Sequence, residues 1–235
     1  MTGRSLAVGV LGGMGPAATI DFMAEVLRLT GAEQEQDNLR LIVDSNPTLP
    51  NRHAAIRDEG PSPGPLLAEM ARGLQRAGAE LLVMPCNTAH AFQGEIEAAT
   101  PLPFLSMIEA VAAVVGSAHP QARRIGLLAA DGCLDAGLYP AALSQTGREV
   151  LVPDAEGQAR LMGLILRIKR GDMGGEVRAA VAGLAQGLVD AGAQALIAGC
   201  TEVPLVLGPG EVSAPLISST EVLARATIER AFKAR

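Results

Sequence analysis

The chain has 235 residues, of which 49% are hydrophobic and 2% aromatic, and its formal net charge at pH 7 is −6. This length suffices for two compact domains, whose cores must be aliphatic because the chain has no tryptophan and one tyrosine. The negative charge argues against nucleic acid and anionic membrane surfaces as partners. No stretch has the roughly 18 uncharged apolar residues of a transmembrane helix.

The number of cysteines and the first residues of the chain indicate the cellular compartment. Three cysteines, Cys86, Cys133 and Cys200, are too few and too scattered for a disulfide framework. The opening MTGRSLAVGVLGG breaks its short apolar run at glycines and does not have the pattern of a signal peptide. We therefore expect a cytoplasmic protein with reduced thiols.

Short apolar runs alternate along the chain with longer amphipathic stretches. The runs predict strands at 6–11, 39–44, 80–84, 103–105, 125–129, 149–151, 195–198 and 215–217. The intervening stretches predict helices at 16–29, 65–77, 88–99, 108–118, 138–145, 154–170, 174–191 and 220–233. Continuous apolar strands alternating with helices are typical of parallel sheets covered on both faces, so the predicted fold class is α/β.

The two halves of the chain repeat one pattern that ends in a cysteine. Residues 77–86 read AGAELLVMPC and residues 191–200 read AGAQALIAGC, while upstream VGVLGGMG resembles IGLLAADG. The repeat predicts two similar domains, each a mainly parallel sheet flanked by helices. They would be related by a pseudo-two-fold axis, with a site in the cleft between them. We expect residues 1–112 plus 213–235 to form the first domain and 113–212 the second.

Cys86 and Cys200 each follow a predicted strand directly, and sites on parallel sheets form where the strands end. Each also precedes or opens a predicted helix, whose first N–H groups favour a thiolate and hold carboxylates. For one cysteine alone the alternative is a packing role in the core. Repetition at equivalent positions argues against that alternative and indicates two facing thiols. Cys133 is expected either to line the same cleft or to pack in the core.

Further candidates lie in nearby loops. GVLGGMGP at 9–16 matches a dinucleotide fingerprint only weakly, so we interpret it as a tight turn whose Met14 lines the cleft. Asn46 and Arg52, in SNPTLPNR, are expected to project into the cleft, where a guanidinium suits a carboxylate; a solvated loop is the alternative. Lys169 near a helix end either compensates the helix dipole or joins the site. His90 has no partners spaced to complete a metal site, so no metal is predicted.

Motifs in order over nearly the whole chain resemble those of the aspartate/glutamate racemase family, most of all its aspartate racemase branch. They are GVLGGMGPAAT, SNPTLPNR, MPCNTAHAF, FLSMIE, IGLLA, IKRGDM and AGCTE. The resemblance implies a cofactor-independent racemase of an acidic amino acid, with two α/β domains and usually homodimeric. It implies that Cys86 and Cys200 transfer the proton and that Arg52 and Lys169 recognise the side-chain carboxylate. It further implies that Asn87, Thr88 and Ala89 hold the substrate carboxylate, and that Thr201 and Glu202 are the matching substrate-binding residues after the second cysteine.

Two places depart from the family's pattern. Asn51 stands where aspartate racemases often have Asp, and Asp131 and Cys133 replace hydroxyl donors of a Thr-Gly-Thr type of loop. These departures leave open glutamate or a broader set of amino acids, and also hydantoin racemisation or isomerisation of a diacid such as maleate. A non-catalytic ligand-binding or thiol redox-sensing protein is the alternative of another class. A pyridoxal phosphate enzyme is disfavoured, because Lys169 is the one plausible Schiff-base lysine and sits late in a helix between arginines.

Overall fold

The computed structural model describes residues 5–233, within which the chain forms two four-stranded sheets. All pairings in both sheets are parallel. The first has the order β2-β1-β3-β4, with β1 (Val8–Gly12), β2 (Leu41–Ser45), β3 (Leu81–Val83) and β4 (Phe104–Leu105). The second has the order β6-β5-β7-β8, with β5 (Arg124–Leu128), β6 (Glu149–Leu151), β7 (Ala195–Ala198) and β8 (Leu216–Ser218). The identical strand order confirms the predicted α/β fold of two similar halves.

Helices cover both sheets, as expected for parallel strands joined by crossovers. They are α1 (Pro16–Thr30), α2 (Arg52–Ile56), α3 (Gly64–Arg76), α4 (Gln93–Ala99), α5 (Met107–Ala118), α6 (Asp131–Asp135), α7 (Leu138–Ser144), α8 (Ala155–Lys169), α9 (Gly175–Asp190) and α10 (Ser219–Lys233). Short 3-10 helices span Glu35–Asp37, Thr88–Phe92 and Val203–Leu205. Among the described residues, no helix is long and apolar enough to cross a membrane.

The helix predicted to begin at residue 88 begins as a different type of helix in the structure. Residues Thr88–Phe92 form a 3-10 helix, and the α-helix begins only at Gln93. After Cys200 the chain likewise enters a 3-10 helix, Val203–Leu205, rather than an α-helix. Each cysteine thus precedes a short 3-10 helix, so local N–H groups rather than the dipole of an α-helix act on the sulfur.

The repeated Ala-Gly-Ala motif ends a helix in each half. Gly78 follows α3 with a φ of 93°, and Gly192 follows α9 with a φ of 97°. A residue with a side chain rarely adopts this left-handed conformation, so glycine closes both helices and turns the chain into the next strand.

The second alanine of each motif then packs on the first strand of its half. A Cβ at Gly9 in β1 would lie 2.8 Å from the Ala79 Cβ, and one at Gly126 in β5 would lie 3.1 Å from the Ala193 Cβ. The first distance is shorter than Cβ contacts in proteins and the second is tighter than an ordinary contact, so a side chain on either strand would have to displace its neighbour. The repeat seen in the sequence is thus a repeated helix–sheet contact.

The last helix of each half packs on the other half. Leu223 and Ala224 of α10 share a buried cluster with Val8 and Val10 of β1, and α10 also contacts α1. In the same way, α5 contributes to the buried cluster of the second sheet. The two halves are therefore interlocked by exchanged helices.

The predicted division into 1–112 plus 213–235 and 113–212 stays a prediction. Its residues 1–4 and 234–235 lie outside the described part of the chain. The strand pairing bears on one detail: β8 pairs with β7, so the C-terminal segment that packs on the first sheet begins with α10 at Ser219.

Candidate active site

A small, partly enclosed cavity of about 50 Å³ lies between the two halves, beyond the ends of β3 and β7. The first half contributes Met14, Arg52, His53, Cys86, Asn87 and Thr88 to its lining, and the second contributes Ala130, Met162, Ile165, Leu166, Lys169, Gly199, Cys200, Thr201 and Glu202. Both repeated cysteines therefore border one space, at the strand ends where a site was expected.

Most of the predicted site residues line this cavity, and three candidates do not. The Asn46 side chain accepts hydrogen bonds from Thr48, at 3.0 Å from the amide nitrogen and 2.7 Å from the hydroxyl. Ala89 is fully buried and contributes its backbone N–H, which hydrogen-bonds the Cys86 sulfur. Cys133 is fully buried in the core of the second half, so of its two expected roles the structure shows the packing one.

Cys86 is buried, with 6% of its surface exposed, and stands near two cations. Burial raises the pKa of the Cys86 thiol. The charges of Arg52 and Lys169 and the Ala89 N–H act in the opposite direction, because each stabilises a thiolate. The Cys86 thiol is thus shielded from water and lies near two positively charged side chains.

Cys200 has a different environment. Its thiol donates a hydrogen bond of 2.9 Å to Oε2 of Glu202, whose Oε1 lies 3.3 Å from Nζ of Lys169. Burial, and after it the charge of Glu202, raise the pKa of Cys200 well above its usual range. Although burial acts to lower it, the pKa of Lys169 is raised, because Glu202 stabilises the ammonium. Cys200 is therefore held as a thiol, and the two sulfurs are not equivalent.

His90 fixes the position of the Cys86 loop. Its Nδ1–H donates to the Cys86 carbonyl oxygen at 2.8 Å, and its Nε2 accepts the Met107 N–H at 3.0 Å. Burial lowers its pKa to about 4, so the ring is neutral near pH 7. Both nitrogens are used within the protein. Among residues 5–233, no group of three or more His, Cys, Asp or Glu is placed to hold a metal ion.

The Asn87 amide ties the two halves together. Its oxygen accepts the Tyr139 hydroxyl at 2.6 Å, and its nitrogen donates to Ser219 Oγ at 3.0 Å. Ser219 in turn donates to the Ala198 carbonyl at 2.8 Å. The resemblance implied that Asn87 holds the substrate carboxylate, but its side chain is largely committed to this internal network.

Arg52 begins α2, which Asn51 caps by accepting the N–H groups of His53 and Ala54 at 2.9 and 3.4 Å. An aspartate would cap in the same way, so Asn51 keeps the cap and removes a negative charge beside Arg52. The guanidinium donates to the Pro50 carbonyl at 3.3 Å, whereas its buried Nε has no hydrogen-bond partner among the described residues. Such an orphaned donor is suited to an anion entering the cavity.

His53, which no sequence motif singled out, also lines the cavity with its ring. Its Nδ1 accepts the Gly132 N–H of the second half at 2.8 Å. Nearby, Arg57 Nε lies 2.7 Å from Asp135, and Asp131 accepts Gln158 Nε2 at 2.7 Å. The loop that departs from the family's pattern is therefore the partner of α2 across the cleft. A five-residue helix carries no periodic signal that would have revealed this contact.

Comparisons with known proteins agree with this architecture. A family model described as Asp/Glu/Hydantoin racemase matches residues 11–227. The aspartate racemase structure of Picrophilus torridus has a TM-score of 0.87 and 29% identity, covering 98% of this chain and 95% of that one. The broad specificity amino-acid racemase RacX of Bacillus subtilis is 28% identical over 230 residues, covering 94% of this chain and 96% of RacX.

A more distant structure is glutamate racemase from Francisella tularensis in complex with D-glutamate. It has a TM-score of 0.71 and 17% identity, covering 98% of this chain and 82% of that one, and at this identity the likeness shows the fold alone. The family match spans nearly the whole chain and includes both cysteine motifs. The chain belongs to the Asp/Glu/hydantoin racemase family, and it is an isomerase of the racemase type.

Proposed function

We propose that this protein racemises aspartate, converting the L- to the D-form with two cysteines as the acid and the base and without a cofactor. The observation that carries the proposal is that Cys86 and Cys200 border one small cavity together with Arg52, whose Nε has no hydrogen-bond partner within residues 5–233. Racemisation needs a base on one face of the α-carbon and an acid on the other, and thiols with tuned pKa values suit both roles.

We propose different starting roles for the two sulfurs, because their environments differ. Burial raises the pKa of both thiols, and Arg52 and Lys169 oppose that rise at Cys86 whereas Glu202 adds to it at Cys200. Cys86, once deprotonated, is therefore the proposed base that removes the α-proton, and Cys200 is the acid that delivers its proton to the opposite face. The step leaves Cys86 protonated and Cys200 deprotonated, and that form accepts the other enantiomer. The proton must return from Cys86 to Cys200, through solvent or directly, before the same enantiomer reacts again.

Charge balance supports an acidic substrate. The charged side chains that line the cavity are Arg52, Lys169 and Glu202, and the last two form an ion pair. Arg52 is then the charge left for the substrate, and it matches the single net negative charge of aspartate or glutamate. In this arrangement Arg52 binds the side-chain carboxylate, whereas Lys169 influences the site mainly through its ion pair with Glu202.

The negative charge that develops on the α-carbon and carboxylate must be stabilised by hydrogen-bond donors. Thr88, two residues after Cys86, and Thr201, directly after Cys200, both line the cavity. Their hydroxyls and neighbouring backbone N–H groups supply hydrogen bonds that strengthen as the charge grows. Met14 and Met162 enclose the same space and limit water.

The relatives also support a second candidate function, that of a broad-specificity amino-acid racemase. RacX carries that description, and its identity of 28% is close to the 29% of the Picrophilus aspartate racemase. One experiment separates them: proton NMR of L-aspartate, L-glutamate and L-alanine in D₂O with the enzyme, alongside chiral analysis. Loss of the α-proton signal and appearance of the D-form for aspartate alone supports the proposal, and exchange of all three supports broad specificity.

Cysteine variants test the two-base assignment. Cys86→Ala and Cys200→Ala should each lose racemisation by a factor of about 10² to 10⁴. Cys133→Ala is the matched control, because it removes a thiol outside the cavity, and it should remain active. Undiminished racemisation in either cavity variant would overturn the mechanism. No exchange by the wild type with any substrate would overturn the function, and a Cys86–Cys200 disulfide would then favour a redox sensor.

We also propose that the protein is a cytoplasmic homodimer. The free thiols Cys86, Cys133 and Cys200 suit a reducing compartment. For the dimer, Ile20, with 67% of its surface exposed, and Leu27, with 62%, form an apolar stripe with Met23 on α1. Light scattering should give a dimer mass for the wild type and a monomer mass for Leu27→Glu, with Val152→Glu as an exposed control. A dimeric Leu27→Glu variant would exclude this face.

A further inference from the structure

His53 is the polar cavity residue to which the proposed mechanism gives no role. It follows Arg52 in α2, and its ring borders the same cavity as Lys169 of α8. Because His53 and Arg52 both line this cavity, we expect the ring near the substrate side chain that Arg52 is proposed to bind.

The contact with Gly132 fixes the tautomer of His53. Nδ1 accepts the Gly132 N–H at 2.8 Å, so Nδ1 carries a lone pair and the proton of the neutral ring is on Nε2. The approach requires glycine, since a Cβ at Gly132 would lie 2.8 Å from that Nδ1. With Nδ1 occupied, the polar group that the ring has left for the cavity is the Nε2–H.

Burial and the surrounding charges keep His53 neutral. Its pKa is lowered, first by burial and then by Lys169, Arg52 and Arg57, while Asp131 acts in the opposite direction. A protonated ring would also turn a second N–H toward the Gly132 N–H and lose that contact. Near pH 7 the ring is thus a neutral, directional donor beside a cation.

We propose that His53 is a specificity-determining residue whose Nε2–H donates a hydrogen bond to the side-chain carboxylate of the substrate, next to Arg52. The inference rests on the proposed function and deepens it, because it assigns the site to amino acids that carry an acceptor at the end of the side chain. Arg52 supplies the charge for such a group. His53 adds a hydrogen bond that fixes the orientation of the carboxylate. Its bond to Gly132 links side-chain recognition to the second half of the molecule.

The test uses binding, so it does not depend on turnover. Succinate has the two carboxylates of aspartate without the α-ammonium, and propanoate lacks the second carboxylate. Isothermal titration calorimetry compares both ligands with wild type, His53→Asn and His53→Gln. The asparagine side chain reaches the Nδ1 position and keeps an acceptor for Gly132 without the Nε2 donor. The glutamine amide reaches the Nε2 position and keeps a donor there.

We expect His53→Asn to weaken succinate binding about tenfold and to leave propanoate binding unchanged. His53→Gln should bind succinate more tightly than His53→Asn. Equal weakening of both ligands in the two variants would indicate a merely structural role, and unchanged succinate binding in both would show that His53 does not contact the side chain. Either result overturns the proposal.

A second measurement reads the tautomer directly. Long-range ¹⁵N–¹H NMR of the histidine rings, assigned by comparison with His53→Asn, should show the proton of His53 on Nε2, with its signal shifting when succinate is added. A proton on Nδ1 would contradict the inference. If wild type shows these effects and yet racemises no amino acid, the recognition role stands and the proposed reaction fails.

Discussion

The thiol of Cys200 and the carboxylate of Glu202 share a hydrogen bond of 2.9 Å in which the sulfur is the donor. Glu202 is 2% exposed, so water does not compete for this bond. A hydrogen bond in which the thiol is the donor favours the protonated sulfur, in the same direction as burial. Cys86 instead has the Ala89 N–H directed at its sulfur. The two cysteines that repeat in the sequence therefore have thiols with different hydrogen-bond partners.

Glu202→Gln should therefore lower the pKa of Cys200. The amide carries no charge and can donate to a thiolate, and Lys169 loses its ion-pair partner. Alkylation by iodoacetamide across a pH series, with each cysteine followed by mass spectrometry, should show faster modification of Cys200 near neutral pH. Glu229→Gln removes an exposed charge paired with Lys233 and should leave the rate unchanged.

The same variant should lower kcat/KM for aspartate by at least about tenfold, because Cys200 is less often the acid. The equilibrium constant of a racemisation is one, so kcat/KM must fall equally for the L- and D-forms. An alkylation rate for Cys200 that matches the wild type would show that Glu202 does not control this thiol.

Arg52→Lys should raise KM for aspartate about tenfold or more while the melting temperature stays close to that of the wild type. Lysine keeps the charge, but it loses the planar fork that holds a carboxylate with two parallel bonds. In the described part of the chain the Nε of Arg52 has no hydrogen-bond partner, so the guanidinium has a donor available for such a bond. Steady-state kinetics test this, and Arg225→Lys, at an exposed ion pair with Glu221, is the matched control. An unchanged KM would place the carboxylate elsewhere.

The sequence predicted what depends on repeated local patterns. Apolar strands, amphipathic helices and the Ala-Gly-Ala motif each have a short-range cause, such as the left-handed glycine at Gly78 and Gly192. The motifs also placed Cys86 and Cys200 at one cavity. What could not be predicted depends on contacts between distant segments: the bond from Tyr139 to Asn87, and the approach of Gly132 to His53. Neither α2 nor α6 is long enough to show periodicity, so no pattern pointed to their contact.

Tyr139→Phe should destabilise the protein, because it leaves the buried oxygen of Asn87 without its 2.6 Å donor. An unsatisfied buried acceptor costs about 1–3 kcal/mol. For a chain of this size each kcal/mol lowers the melting temperature by about 2–4 °C, which thermal unfolding can resolve. A double-mutant cycle with Ser219→Ala tests whether the network is cooperative, since Ser219 is the other partner of that amide. Strictly additive losses would show that the two bonds are independent.

Gly132→Ala tests how closely α2 must approach the second half. Its Cβ would lie 2.8 Å from Nδ1 of His53 and 2.9 Å from Cγ2 of Thr88, so the loop or both side chains must move. We expect kcat/KM for aspartate to fall by about tenfold or more, because a displaced cavity wall no longer holds the substrate between the two thiols.

Gly183→Ala is the control for that change, since it adds the same methyl group to an exposed position in α9 with no atom within 4 Å. Alanine is the better helix former by about 1 kcal/mol, so this variant should be as stable as the wild type or more stable, with the same kinetics. If Gly132→Ala behaves like its control, the cleft tolerates an extra methyl group. The bond between His53 and Gly132 is then not what determines the shape of the cavity, and the departure at 131–133 would have no bearing on the substrate.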